Sequence, residues 1–566
     1  MSRIFLLFVL ITSSLFVQSQ NHPTDYFRAP LDIPMVLSGT FGELRSNHFH
    51  AGIDIKTQGA SGLKVYAVAD GYVSRIKVSP WGYGKAIYIT HSNGYTSVYA
   101  HLKNYHSSIQ DYVRKAQYKK ESYSIELFPN KEELTVKKGD LIAFSGNSGS
   151  SAAPHLHFEL RTSNNEFPQN GLQFGFDIKD EIPPIIREIK VTPRGKESQV
   201  SQQNLAKTFK SLGKNGTYKI ETPISIHGNA SIGIYTHDLL NGANNKNGVY
   251  SIELLIDSQQ VYYHQMDEFG FHETRYINSH IDYAEKQQSK KRLHSCYLEA
   301  NNQLTIYEHV ENKGIITTHG THRAKFIVKD VYGNTSVLNF TLTNTNYIPP
   351  TNDWMSPPIS RIFSYQKAHI FKDGGLELHI PKNALYDSLY FQYTVSPDTL
   401  TNCYAPVHHV HNKNVALHKS YAISIDNTVS DSLKEKAFIA QIGDKGQAIY
   451  RGGKWVDGKL TTKLKSFGDY SVAIDTLPPT IKPLNIYPNK HMTSSTLKMN
   501  VRDDLSGIKT YRAEIDGEWV LMEFDPKKAR LTHYFNKSLQ KGEHTFTLEI
   551  IDDRENSAHY QVRFSR

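Results

Sequence analysis

Cysteine is almost missing from this chain. Only Cys296 and Cys403 occur in 566 residues, far apart in the sequence, so neither a disulfide framework nor a cysteine-rich zinc module can organise the fold. Two unpaired, buried thiols are the expectation. After the N-terminus no apolar run approaches the roughly 20 residues of a membrane-spanning helix, which excludes an ordinary helical membrane protein. Blocks of one charge are absent too: 64 Lys and Arg stand against 55 Asp and Glu, a net +9 spread along the sequence. That excess favours acidic surroundings, such as an anionic wall polymer or a membrane surface, without specifying a partner.

What is present leans toward β-structure. There are 34 Tyr and 26 Phe but only 7 Met, and with frequent Thr, Ile and Val this is a strand-forming composition. With 21% charged residues and a mean hydropathy of -0.48, the chain reads as soluble globular protein of about three to four domains. Its first residues, Met1-Ser2-Arg3 followed by an apolar run to Val17 and then Ser19, have the positive start, short hydrophobic segment and small residue of a cleaved secretory signal. Residues 1–19 are therefore predicted to be a signal peptide. The mature chain is expected in the periplasm or cell envelope, or secreted, where nucleic acid is out of compartment.

The stretch that organises the reading is His155-Leu156-His157. Alternate strand residues share a face, so two imidazoles would project together while Leu156 and Phe158 turn the other way. Imidazole suits zinc. Upstream, His50-Ala51-Gly52-Ile53-Asp54 sets a histidine and a carboxylate four apart across a glycine that lets the backbone turn. Two imidazoles and a carboxylate are a ligand mix for a catalytic zinc that keeps one position for water. Between the two motifs, Gly62–Ile76, Trp81–His91 and Gly94–Leu102 read as short antiparallel strands joined by Asp-Gly and Gly-rich turns. His101 lies in the last of them.

His50-x-x-x-Asp54, Tyr99-Ala100-His101-Leu102 and His155-x-His157, in that order, resemble the M23 family of zinc metallopeptidases, the lysostaphin and LytM type of peptidoglycan endopeptidase. The likeness spans about residues 35–162. It implies that His50, Asp54 and His157 hold one Zn2+ ion, and that His101 and His155 are two non-ligand histidines that stabilise the transition state and move protons. The chemistry fits this division. A zinc ion lowers the pKa of its water to about 7 and polarises an amide carbonyl. Imidazoles with reference pKa near 6.5 can accept a proton, donate one to the leaving amine, or hydrogen-bond the oxyanion.

The sequence departs from the family twice. Ala152-Ala153 precede Pro154 where a polar residue and a glycine are more usual, and an extra piece, Asn104 to Thr135, follows His101. Residues 110–118 within it read as one or two helical turns. The piece is a surface elaboration or a wall of the substrate cleft, with its position after His101 favouring the wall. His48 reads as a satisfied or solvent-facing histidine, His91 as a turn-flanking one, and His408, His409 and His411 as part of a solvated loop.

Downstream, Asp180-Glu181-Ile182-Pro183-Pro184 is echoed by Asp475-Thr476-Leu477-Pro478-Pro479. Paired prolines read as extended linkers, and each echo opens a similar module. Alternating strands with Asp-Gly and Asn-Gly turns point to β-sandwiches resembling the immunoglobulin-like modules of exported bacterial proteins. The expected fold is mainly β: an antiparallel β catalytic domain of LytM type at 20–180, an immunoglobulin-like sandwich at 181–348, a sandwich of unassigned type at 349–474, and a second immunoglobulin-like sandwich at 475–566. The expected function is an exported zinc endopeptidase acting on peptidoglycan peptides, with envelope partners for the C-terminal modules. Two alternatives are a non-catalytic activator of a cell-wall amidase and a zinc protease acting on exported proteins. Retention of all five polar residues disfavours the first.

Overall fold

The computed structural model describes residues 22–349, 359–397, 400, 402–535 and 539–566. The predicted signal peptide lies outside these residues. The chain is mainly β, and its first domain is built on an antiparallel sheet. Six of its strands matter here: β1 (Leu37–Gly39), β2 (Ile53–Lys56), β3 (Gly71–Val78), β4 (Lys85–His91), β5 (Tyr95–Ala100) and β6 (His155–Thr162). In space they run β1-β2-β6-β5-β4-β3, so the first and last strands of the candidate motifs are neighbours.

Alternation decides which face each side chain takes. Ile53, Ile55, Leu156, Phe158, Leu160 and Tyr99 are all within 1% of complete burial and join one apolar core. Their strand neighbours Asp54, His155 and His157 point to the other face. Register then brings that face together: His157 stands opposite Asp54 on one side and Ala100 on the other.

The insertion after His101 forms a full helix, α1 (Ser107–Lys120), longer than the one or two turns expected. Ile109, Val113 and Gln117, four apart, are its buried stripe, and Lys119 and Lys120 sit where the helix dipole favours cations. The far side of this helix meets the last module. Tyr118 packs edge-on against Trp519 at 5.2 Å, and Glu121 pairs with Arg512 at 2.6 Å. Nearby, Lys85 Nζ donates to Glu523 at 2.9 Å. Lys527 Nζ donates to the carbonyl of Ser151 at 2.9 Å and to that of Asn147.

Each downstream region has two main sheets around its own core. The repeat seen in sequence is also a repeat of contacts. Asn334 Nδ2 donates to Asp330 Oδ2 (2.7 Å) and to the Asp180 carbonyl (3.1 Å). Asn556 Nδ2 does the same to Asp552 Oδ2 (2.7 Å) and the Asp475 carbonyl (3.0 Å). At the first of these joints burial, and then the charges of Asp180 and Asp330, push the Asp238 carboxyl up to about 9.

Both cysteines are free, and Cys296 is buried. The histidines read as a loop are placed differently: His408 and His409 lie on a strand, His408–Val410. His408 is buried against the Tyr393 hydroxyl and His409 is bonded to Asp469. Cross-strand pairing, invisible in a run of polar residues, overrides their loop-like composition.

Candidate metal centre

The polar face of β2 and β6 carries a tight group of three side chains. His50 Nε2 lies 3.0 Å from Asp54 Oδ1 and 3.0 Å from His157 Nδ1. His157 Nδ1 lies 2.9 Å from Asp54 Oδ1. All three residues are at most 4% exposed. Ligands of a tetrahedral zinc, each about 2.1 Å from the ion, stand about 3.4 Å apart. The observed triangle, 2.9–3.0 Å on a side, is slightly tighter than that.

The outer hydrogen bonds orient the rings. His50 Nδ1 donates to the Thr40 carbonyl at 2.7 Å, which leaves Nε2 turned inward. His157 Nε2 is 2.7 Å from Glu159 Oε1, which leaves Nδ1 turned inward. Such partners fix the tautomer and basicity of a metal-binding imidazole. Burial opposes a charge on Glu159, but Arg161, bonded to it at 2.7 Å, holds its carboxyl down to about 2. Asp54 is braced on its other oxygen by Arg45 Nη2 at 2.6 Å. Tyr83 closes one side, stacked on the His157 ring at 5.2 Å with its hydroxyl on Glu159.

This arrangement needs a cation. Two inward nitrogens and a carboxylate oxygen are all acceptors, and they repel unless a proton or a metal sits among them. Burial works against charge on His157, yet the bonds to Asp54 and Glu159 overcome it and push its pKa up to about 9. The donor set and the charge it calls for fit a divalent metal.

The other two predicted histidines come to the same place. His155 Nδ1 donates to the Ala153 carbonyl at 2.9 Å. Its Nε2 is 3.3 Å from Asp54 Oδ1, buried, and without a hydrogen-bond partner. His101 follows β5 with a left-handed φ of 58°, a conformation costing about 1–3 kcal/mol outside glycine. The strain turns its ring toward the site, 4.8 Å from His155 and 5.8 Å from His157 between centroids. Its Nδ1 donates to the Ser148 carbonyl at 2.9 Å, and burial, then His157 and His155, push its pKa down to about 3. The loop holding it needs Gly146, where a Cβ would sit 2.4 Å from Lys103 N and 2.7 Å from the His101 carbonyl.

The structure thus gathers His50, Asp54, His101, His155 and His157. His48 stays outside, with Nδ1 on the Ser46 carbonyl, and His91 is buried between the Asp70 carbonyl and Ser97. Sequence reasoning missed Arg45, Thr40, Tyr83, Glu159 and Arg161. Only Glu159 and Arg161 carried a signal, since they continue the His155, His157 alternation along one strand face.

In comparison with known proteins, residues 48–118 match peptidase family M23. Residues 360–475 match the Zu5-like domain. An uncharacterized metalloprotease of Haemophilus influenzae is 34% identical over 111 residues, 20% of this chain and 18% of that protein. The DD-carboxypeptidase/endopeptidase Mpg of Neisseria meningitidis is 32% identical over 118 residues, 21% of each. The chain spans about a fifth of the length of these relatives. Among solved structures, a zinc-containing peptidase from Vibrio cholerae is similar at 26% identity and a TM-score of 0.20, over 26% of this chain and 38% of that one. The catalytic domain of lysostaphin from Staphylococcus simulans is similar at 23% identity and a TM-score of 0.19, over 25% and 91%.

Proposed function

We propose that the M23 peptidase domain carried by this chain makes it an exported zinc endopeptidase that hydrolyses the peptide crosslinks of peptidoglycan. The observation that carries the reading is the convergence of His50 Nε2, Asp54 Oδ1 and His157 Nδ1 with a buried, unpartnered His155 Nε2 beside them. A relative named a metalloprotease and another named a DD-carboxypeptidase/endopeptidase support it. The apolar N-terminal run supports export, and none of the described helices is long and apolar enough to cross a membrane.

In this reading His50, Asp54 and His157 hold the ion. A zinc ion supplies an acidified water and polarises the scissile carbonyl. The remaining work belongs to the chain. His155, with Nδ1 on the Ala153 carbonyl and its unpartnered Nε2 3.3 Å from Asp54, accepts the proton released as the amide is attacked. His101, anchored on Ser148 and held neutral by burial, turns its other nitrogen inward. There it serves the oxyanion or the departing amine. Arg45 braces the outer oxygen of Asp54, and Tyr83 with Glu159 and Arg161 keeps the His157 ring in place.

The test is a zymogram on purified sacculi with zinc-loaded protein. Clearing that disappears with EDTA and with His157→Ala is the expected result. Clearing that survives both excludes the metal mechanism, and its absence from loaded protein favours the amidase-activator alternative. Mass spectrometry of released muropeptides then identifies the bond cut.

A further inference from the structure

A second group of imidazoles lies in the module that follows the peptidase domain. His264 stands on β7 (Gln259–Gln265), His280 ends the short helix α2 (Ile277–His280), and His294 opens β8 (His294–Ser295). One ring nitrogen from each lies within 4.8 Å of the other two. Exposure is 0% for His264 and His280 and 4% for His294. His280 Nε2 is 2.9 Å from His294 Nδ1, and His280 Nδ1 is 3.1 Å from the Tyr307 hydroxyl. Neither nitrogen of His264 has a hydrogen-bond partner.

An ordinary buried histidine does not look like this. Leaving a polar group buried and unpaired costs about 1–3 kcal/mol, and His264 leaves two. A single bond between His280 and His294 accounts for one pair of nitrogens and leaves the third ring, 5.0 Å and 5.6 Å from the others between centroids, with nothing to bind. We propose that His264, His280 and His294 bind one Zn2+ ion at a second, structural site. Three imidazoles are a zinc donor set known from open sites, and here burial closes the remaining position to any substrate. Burial, the largest influence on each, keeps the rings neutral, with His294 down to about 4. Neutral imidazole is the form that binds metal. Complete burial also denies a substrate access, so the ion holds the structure.

What it would hold is specific. β7 belongs to the larger sheet of this module and β8 to the smaller one, while α2 lies in the crossover between them. That crossover carries the platform beneath the first site. Phe49 N donates to Thr274 Oγ1 at 2.9 Å, and the Phe49 ring lies 5.4 Å from Phe269 and 5.7 Å from His280. Phe49 immediately precedes His50. An ion on the three histidines therefore fastens the surface on which the first ligand of the peptidase site rests.

The experiment is a zinc count on the full chain by native mass spectrometry after loading with the metal alone and removal of excess. Two ions per chain are expected, with one remaining in His157→Ala, one in His264→Leu and none in the double variant. Should His264→Leu fail to fold, Co2+ loading of His157→Ala decides the matter. Visible absorption from that variant with one bound ion supports the second site, and a colourless, metal-free one overturns it. One ion in the unmodified protein that is lost in His157→Ala likewise overturns the second site and leaves the proposed peptidase site standing. An ion count of one that survives His157→Ala and is lost in His264→Leu does the reverse.

Discussion

The two histidine clusters differ in what surrounds the imidazoles. Around the first, the inward atoms are backed by a carbonyl, one carboxylate and two guanidinium groups, and two more histidines stand beside the ligands. Around the second stand one tyrosine hydroxyl and the rings of Phe49 and Tyr262. The first includes a carboxylate that offsets part of the charge of a divalent ion and leaves a free nitrogen beside it for proton transfer. The second offers only neutral donors in a sealed space. A ligand set able to hold an ion is thus common to both, and only one has the neighbours that put an ion to chemical use.

The comparison breaks most visibly if ligand and non-ligand histidines behave alike. His157→Ala is expected to remove peptidoglycan clearing beyond detection together with one bound zinc. His155→Gln and His101→Gln should lower kcat by about 10²–10⁴-fold while the zinc count of the unmodified protein is kept. Single-turnover rates and native mass spectrometry read the two effects separately, and loss of the ion in either glutamine variant would contradict the division of roles. Glu159→Gln comes next: competition with a chromogenic chelator should show zinc held about 10–100-fold more weakly at the first site.

His264→Leu sharpens the other half of the contrast. At zinc 1,000-fold above its Kd, loss of the second ion removes about 4 kcal/mol of stabilisation. Calorimetry in the presence of zinc should show a drop of several degrees in the transition containing that module, and the difference should vanish in EDTA. The last test concerns a third cluster, the acidic one at the first joint. Asp238 binds its proton more tightly in the folded chain, with a pKa of about 9, than in the unfolded one. Its contribution is therefore complete below the ordinary carboxylate range and is lost as pH climbs toward 9. Asp238→Asn should flatten the fall in Tm between pH 5 and pH 9 by a few degrees, measured in EDTA. An unchanged profile would show that Asp238 is not the group concerned.

Two pairs within the site were legible from short-range rules, and that they meet each other and His101 was implied by the family resemblance. Strand alternation puts His155 and His157 on one face, and His50 and Asp54 flank a glycine. Their cross-strand register, with His157 opposite Asp54, follows from burying Leu156 and Phe158 against Ile55 and Ile53. Arg45 and Tyr83 were not legible, since each reaches the site through a loop whose path is set by tertiary packing. The second cluster was hidden for the same reason: its members come from a strand, a helix and another strand, with no spacing to mark them. The role of the inserted helix was also out of reach, because half of its surroundings are supplied by residues some 400 positions later, Arg512 and Trp519 among them.

Those distant partners matter for how the protein bears tension. A chain of four regions joined by proline pairs, if strung out, would pass a pull on its C-terminus through each linker in turn. Here the last region is fastened to the first by Glu523 on Lys85, Arg512 on Glu121 and Lys527 on the loop at Ser151. A pull is therefore shared between the neighbouring module, through Arg554 on the carbonyls of Ala437 and Gly453, and the segment that leads into His155.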